Sequence, residues 1–259
     1  MVENKFYLTK FQSLFEDNGY SKFDSLWNYQ GEWVEPINQR RGGWSGVCRL
    51  AIPNTLEPPF YLKRQENHNT KTFKHPFHGI PTYRREVINI HRFNKHNIPT
   101  NELVYYGERK LGGNHQAILI TRALEEYEGL EDWITKANDN QLNDMLVKLA
   151  EIVRRIHDHG FMHMYLNTSS ILVRKTKKSL LESCKLDIRI IDLESVRIQP
   201  ISKQRRFKDL RYMLEKISGL THQNFEDFLT YYFNSSPAFF GANALHNRLL
   251  KHLDEIDKT

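Results

Sequence analysis

Between Gln141 and His159 the apolar residues Leu142, Met145, Leu146, Leu149, Ile152, Val153 and Ile156 recur at the spacing of helix turns. Only a long amphipathic helix buries such a stripe on one face. Gly160 stands just past it, where a helix closes on a left-handed residue. The chain before this helix reads as strands: GVCRLAI, PPFYLKR, ELVYYGE and AILITRA are short β-type runs, and Glu32 to Ile37 alternates like one. One helical segment interrupts them, YRREVINIHRFNKH, with Val87, Ile90 and Phe93 on one face and Ile98-Pro99 beyond its end. Residues 1–28 read as a partly helical lead-in, and the polar segment 66–81, with Pro76 and Pro81, reads as a loop. Downstream, SILV and LDIRIIDL form a pair of short strands, and three helical stretches follow. The layout is α+β, with a strand-rich first portion, a helical second portion and a boundary near residues 122–128.

With 39% hydrophobic and 26% charged residues, a chain of 259 residues is globular and long enough to bury a core. The first thirty residues interleave charges with aromatics, so they offer no signal-peptide core, and no apolar run has the length of a membrane helix. The two cysteines, Cys48 and Cys184, match no metal-ligand spacing and suit a reducing compartment, so a cytoplasmic location is expected. The net charge of +6 is densest in RKTKKS at 174–179 and KQRRFKDLR at 203–211. Such blocks are ordinarily solvated faces; the alternative is a surface for an anionic lipid or sugar phosphate. No nucleic-acid reading motif accompanies them, and no nucleic-acid partner is expected.

Phosphoryl transfer requires a cradle for phosphates, a cation, a metal-holding carboxylate and a group that aims the acceptor. Candidates for each lie in the matching order. Gly43 and Gly46, in RRGGWSGV, permit close backbone approach in a glycine turn, though taken alone an ordinary hairpin turn explains them better. Lys63 sits on the strand FYLK, and Glu86 lies 23 residues on in the following helix, a plausible separation for an ion pair. His163 falls in the loop after HDHG, and Asp192 ends the apolar run IRIIDLE, where a carboxylate suits Mg²⁺ or caps a turn. His68, His75 and His78 share the 66–81 segment without a metal-site spacing and read as surface histidines. Trp44 marks the tip of the glycine turn.

RRGGWSGV, YRREVINIHRFNKHNIPTNELVYYGE, AILITRALEEYEGLEDWI and the stretch from RRIHDHGFMH to IIDLESVR resemble the lipopolysaccharide kinase family over roughly residues 38–215. These are bacterial proteins of protein-kinase-like fold that phosphorylate heptose or Kdo in the lipid-anchored core oligosaccharide. The resemblance implies a two-lobed fold, with a lead-in at 1–30, an N-lobe over 31–124 and a C-lobe over 125–259. It implies ATP and Mg²⁺, with Gly43, Gly46, Lys63 and Glu86 on the nucleotide and Asp192 on the metal. It also implies a lipopolysaccharide core sugar as acceptor and peripheral contact with the anionic inner-membrane surface. The loop departs from the family pattern: after His163, the catalytic Asp position holds Tyr165 and the metal-side position holds Ser170. A phenol keeps its proton at neutral pH and cannot take one from a sugar hydroxyl as a carboxylate does. The two expectations are therefore a kinase with a weakened catalytic loop and a pseudokinase that binds nucleotide or a partner without turnover.

Overall fold

The computed structural model describes residues 2–7, 9–53, 55–174, 186–199, 203–234 and 242–256. Two compact units divide the chain, one of Met1–Arg92 with Asn101–Glu125, the other of Phe93–Thr100 with Glu126–Thr259. The first contains β1 (Val2–Tyr7), α1 (Thr9–Asp17), α2 (Phe23–Trp27), β2 (Asn38–Arg40), β3 (Gly43–Leu50), β4 (Phe60–Glu66), β5 (Asn69–Thr72), β6 (His75–Pro81), most of α3 (Thr82–Lys95), β7 (Leu103–Leu111) and β8 (Asn114–Arg122). Six of its strands make one antiparallel sheet in the order β1-β7-β8-β4-β3-β2.

Strand alternation decides what each face of this sheet carries. Phe60 and Leu62 of β4 and Cys48 and Leu50 of β3 join Phe11, Phe15, Phe23 and Leu26 of α1 and α2 in one apolar cluster. Lys63 and Gln65, a residue out of phase, point to the opposite face, toward α3. Glycine is required at two points of β3. A Cβ on Gly43 would lie 2.0 Å from the carbonyl oxygen of Glu66, and one on Gly46 would lie 2.6 Å from the Trp33 ring.

Three local expectations change. The turn at Arg41-Gly42 joins β2 to β3, and the 32–37 run is reduced to a single bridge, Trp33 with Cys48, because Pro36 offers no N–H to a ladder. Residues 69–81 form a two-stranded hairpin rather than a loop: β5 and β6 pair antiparallel from Asn69↔Pro81 to Thr72↔His75. Pro76 is tolerated there because a two-stranded ribbon has edges that need no donor. Finally, the lead-in begins with β1, which adds an edge strand beside β7.

The second unit contains β9 (Tyr127–Gly129), α4 (Leu130–Ile134), α5 (Asp139–Asp158), β10 (Phe161–Met162), β11 (Ile171–Arg174), β12 (Ile188–Ile190), β13 (Arg197–Ile198), α6 (Lys203–Lys216), α7 (His222–Asn234) and α8 (Ala242–Ile256). Asn138 and Gln141 close a reciprocal capping box at the start of α5, at 2.9 and 3.0 Å. The apolar stripe then buries Met145, Leu146, Leu149, Ile152, Val153 and Ile156, and Gly160 follows at φ 76°. Residues 93–100 belong here because they are stitched to β12: Ile190 N–H donates to Pro99 O at 3.1 Å, and Thr100 Oγ1 donates to Ile190 O at 2.6 Å.

Candidate functional site

In the first unit, Lys63 Nζ lies 2.8 Å from Glu86 Oε1. Both side chains are largely withdrawn from water, at 13% and 1% exposure, so the pair is far less screened than a surface one. Its geometry depends on Gln65, two residues along β4 and fully buried. Gln65 Oε1 accepts from Thr82 Oγ1 at 2.7 Å and from Tyr83 N–H at 2.9 Å, while its Nε2 donates to His68 O at 2.8 Å. One side chain thus caps the first turn of α3, supplies an acceptor for an otherwise orphaned amide and fixes where Glu86 stands one turn later. A glutamine in a strand gives no such signal in sequence. His68 is also relocated: it is buried, with Nδ1 3.2 Å from Thr82 Oγ1, while His75 and His78 stay exposed.

Gly43 and Gly46 lie on the same hairpin, but their near neighbours are the Glu66–Asn67 backbone and Trp33. Gly46 pairs across the ladder with Arg64, on the side away from Lys63, whereas Val47 pairs with Lys63 itself. Trp44 packs against Trp27 and Trp33, at centroid distances of 5.6 and 6.3 Å.

In the second unit, the loop after β10 carries His163, Tyr165 and Ser170. His163 is buried; its Nε2 donates to Ile191 O at 3.0 Å, and among the described residues Nδ1 meets no partner. Burial holds this imidazole's pKa below its ordinary value, outweighing the Ile191 carbonyl and the charges of Asp209 and Asp192. Ile191 N–H donates to Ser170 O at 3.0 Å, so the step from β12 to Asp192 is tied to the loop on both sides. Asp192 is exposed in the left-handed conformation, φ 60° and ψ 44°, and its carboxylate makes no cap hydrogen bond. Tyr165 is exposed and meets Tyr212 edge-on at 5.5 Å.

Ser170 is buried in a turn that closes on itself. Asn167 Oδ1 accepts from the amides of Ser169 and Ser170, both at 3.1 Å, and Ser170 Oγ accepts from Asn167 N–H at 2.9 Å. The hydroxyl at the metal-side position is therefore engaged within the loop.

The residue that holds this loop is Asp209 on α6, inside what sequence reads as a basic block. Its Oδ2 accepts from His163 N–H at 3.0 Å and lies 3.0 Å from His157 Nε2, and its Oδ1 accepts from Met164 N–H at 2.8 Å. Met164 sits at φ 71°, a strained conformation for a side chain with a Cβ, and the carboxylate fixes it. Burial alone would raise the Asp209 pKa; the hydrogen bond and charge of His157 and the His163 amide hold it below the usual carboxylate range. Arg206 is likewise turned inward, donating to Tyr232 Oη at 3.1 Å and Asp158 Oδ1 at 2.9 Å. Arg211 pairs with Glu215. The block at 203–211 is thus half core rather than a uniformly basic face, while the block at 174–179 lies outside the described residues except for Arg174, which pairs with Asp187.

A mixed sheet-and-helix chain with a strand lysine paired to a helix glutamate, and a pinned histidine loop followed by a strand-end aspartate, has the kinase-like fold. The model of the lipopolysaccharide kinase (Kdo/WaaP) family matches residues 24–232, and the chain belongs to that family. It is 29% identical over 162 residues to Protein InaA of Escherichia coli (strain K12), covering 58% of this chain and 73% of that protein. A solved structure of WaaP in complex with acyl carrier protein superposes with a TM-score of 0.66 at 20% identity, covering 96% of this chain and 99% of that one, and establishes the shared fold.

Taken separately, the first unit supplies a buried, oriented cation of the kind that fits a phosphate, Lys63, and the second an exposed carboxylate of the kind that fits Mg²⁺, Asp192. No cluster of three or more metal-type side chains occurs among the described residues.

Proposed function

We propose that this chain binds Mg²⁺-ATP and is a phosphotransferase of the lipopolysaccharide-core type whose transfer step is slowed by Tyr165. The observation that carries this reading is the buried Lys63–Glu86 pair at 2.8 Å. Withdrawing two opposite charges from water costs several kcal/mol that their attraction at best offsets, so a buried pair is better explained by a role than by stability. An oriented ammonium on a strand is what the phosphates of a nucleotide need. Lys63 would hold phosphate oxygens, Glu86 would hold Lys63, and Asp192 would hold Mg²⁺, which when bound neutralises phosphate charge. Gly43 and Gly46 are assigned to the phosphate turn on the family pattern alone, since their close neighbours are the Glu66–Asn67 backbone and the Trp33 ring. His163 orients the loop, and the acceptor is a sugar hydroxyl of the lipopolysaccharide core, presented at the inner-membrane surface.

Thermal melts with and without Mg²⁺-ATP test the reading. At about 100 times Kd a ligand adds ~2.7 kcal/mol, a rise in Tm of several degrees for a chain of this size. The double variant Lys63→Met/Glu86→Gln removes the pair without stranding a buried charge, and it should fold but lose the shift. No shift for the wild type at millimolar Mg²⁺-ATP overturns the proposal.

The pseudokinase reading is favoured by the loop itself, where Tyr165 offers no base and the Ser170 hydroxyl is already engaged. Wild-type protein that binds Mg²⁺-ATP but shows no acceptor-dependent turnover would select it.

A further inference from the structure

The β5–β6 hairpin projects two phenylalanines that nothing covers. Phe73, in the turn, is 102% exposed, and Phe77, early in β6, is 83% exposed. Its base, by contrast, is fixed. Ile80 and His68 are buried, Gln65 Nε2 donates to His68 O, Arg85 Nη1 donates to Thr70 Oγ1 at 2.8 Å, and a Cβ on Gly79 would lie 2.6 Å from Thr70 O. A rigid stem therefore holds out a bare aromatic tip. Lys71, Lys74, His75 and His78 surround it, all exposed, and the sequence from Asn67 to Arg85 contains no acidic residue.

We infer that this hairpin is a membrane-contact finger, with Phe73 and Phe77 entering the interface of an anionic bilayer and Lys71 and Lys74 meeting lipid phosphates. A single exposed apolar residue is ordinary. Two phenyl rings within five residues, ringed by cations in an acid-free segment, is the pattern of an interfacial anchor. Size argues against a protein occupant. Two phenylalanines supply roughly 300–500 Å², short of the ~800 Å² per partner of a stable protein interface, whereas a bilayer accepts a narrow tip and adds long-range attraction for the lysines. The inference deepens the reading of a lipid-anchored acceptor and rests on it for its purpose; its measurement needs no turnover.

The test is sedimentation of the full chain with phosphatidylcholine vesicles carrying roughly one-third phosphatidylglycerol, an anionic surface. Wild-type protein should bind, and Phe73→Ser/Phe77→Ser should weaken partitioning about tenfold at every salt concentration, since the lost term is apolar. Lys71→Ser/Lys74→Ser should weaken it about tenfold or more at low salt and converge on wild type at high salt, where charges are screened. Leu56→Ser is the control: Leu56 is as exposed as Phe73, but its neighbour Glu57 is acidic and pairs with Arg122, so binding should not change. Melting temperatures and the Mg²⁺-ATP shift should be the same in all variants, which separates failure of the finger from failure of the nucleotide reading. Wild-type protein that ignores these vesicles, or a phenylalanine variant that binds like wild type, overturns the inference. So does a self-associating protein whose dimer the phenylalanine variant dissociates while vesicle binding is unchanged.

Discussion

Replacing Asp209 with alanine should be among the most destabilising single changes to the second unit. The substitution leaves the amide of His163 and the Nε2 of His157 buried without their acceptor, and removes the partner of the part-buried Met164 amide. Each buried orphan costs about 1–3 kcal/mol, so the two together cost roughly 2–6 kcal/mol. At about 2–4 °C per kcal/mol for a chain of this order of size, Tm should fall by roughly 4–24 °C. Asp209→Asn keeps one acceptor oxygen and should cost about half as much. The sign with pH follows from the depressed folded-state pKa: the contribution is fully present above the ordinary carboxylate range, about 3.9, and is lost as pH falls through the folded value. Asp209→Asn should therefore flatten the acid limb of the stability profile. Thermal and urea melts between acid and neutral pH measure both effects, and amide exchange at Met164 reports the loop directly. A Tm for Asp209→Ala within about 2 °C of wild type would refute the claim that this carboxylate holds the loop.

Other outcomes follow from single residues. His163→Gln should remove a slope of up to about 1.4 kcal/mol per pH unit that wild type shows on acidification below about 6.5, because the unfolded chain takes up a proton that the buried imidazole refuses; melts across that range read it. Gly46→Ala places a methyl 2.6 Å from the Trp33 ring and should cost about 1–3 kcal/mol, with a change in tryptophan emission, by urea titration. Tyr165→Asp should leave the Mg²⁺-ATP melting shift unchanged and raise ATP turnover by about 10²-fold or more in a coupled assay; turnover unchanged in a variant that still binds would refute position 165 as the place of the missing base.

The long helix α5, the helix α3 and the strands β7 and β8 were legible because each needs only local periodicity. The Lys63–Glu86 contact was legible because strand-then-helix order brings such a pair together. Asp209 was hidden for an opposite reason. In KQRRFKDLR the charges suggest solvent, yet helix periodicity sends Arg206 and Asp209, three residues apart, to the buried side. Charge density says how a segment is composed, not which way its side chains point. Gln65 was invisible because its role lies in the backbone of another element. The 69–81 hairpin was hidden by polar composition and Pro76, since a ribbon without a buried face has no alternation to read. Ser170 looked like a lost ligand; its partners show a residue held by its own turn.

That turn sets an order on how this loop can change. Position 165 is exposed, its side chain meeting the edge of the Tyr212 ring, so acquiring or losing a carboxylate there leaves the fold nearly indifferent. Position 170 is different: its hydroxyl and the Asn167 amide oxygen close the turn reciprocally, and a larger side chain there must break that closure before it can offer a ligand. Position 165 can thus change by one nearly neutral step, while a change at 170 must be accompanied by a new way of ending the turn. Substitution in this loop is a one-residue problem at 165 and a several-residue problem at 170.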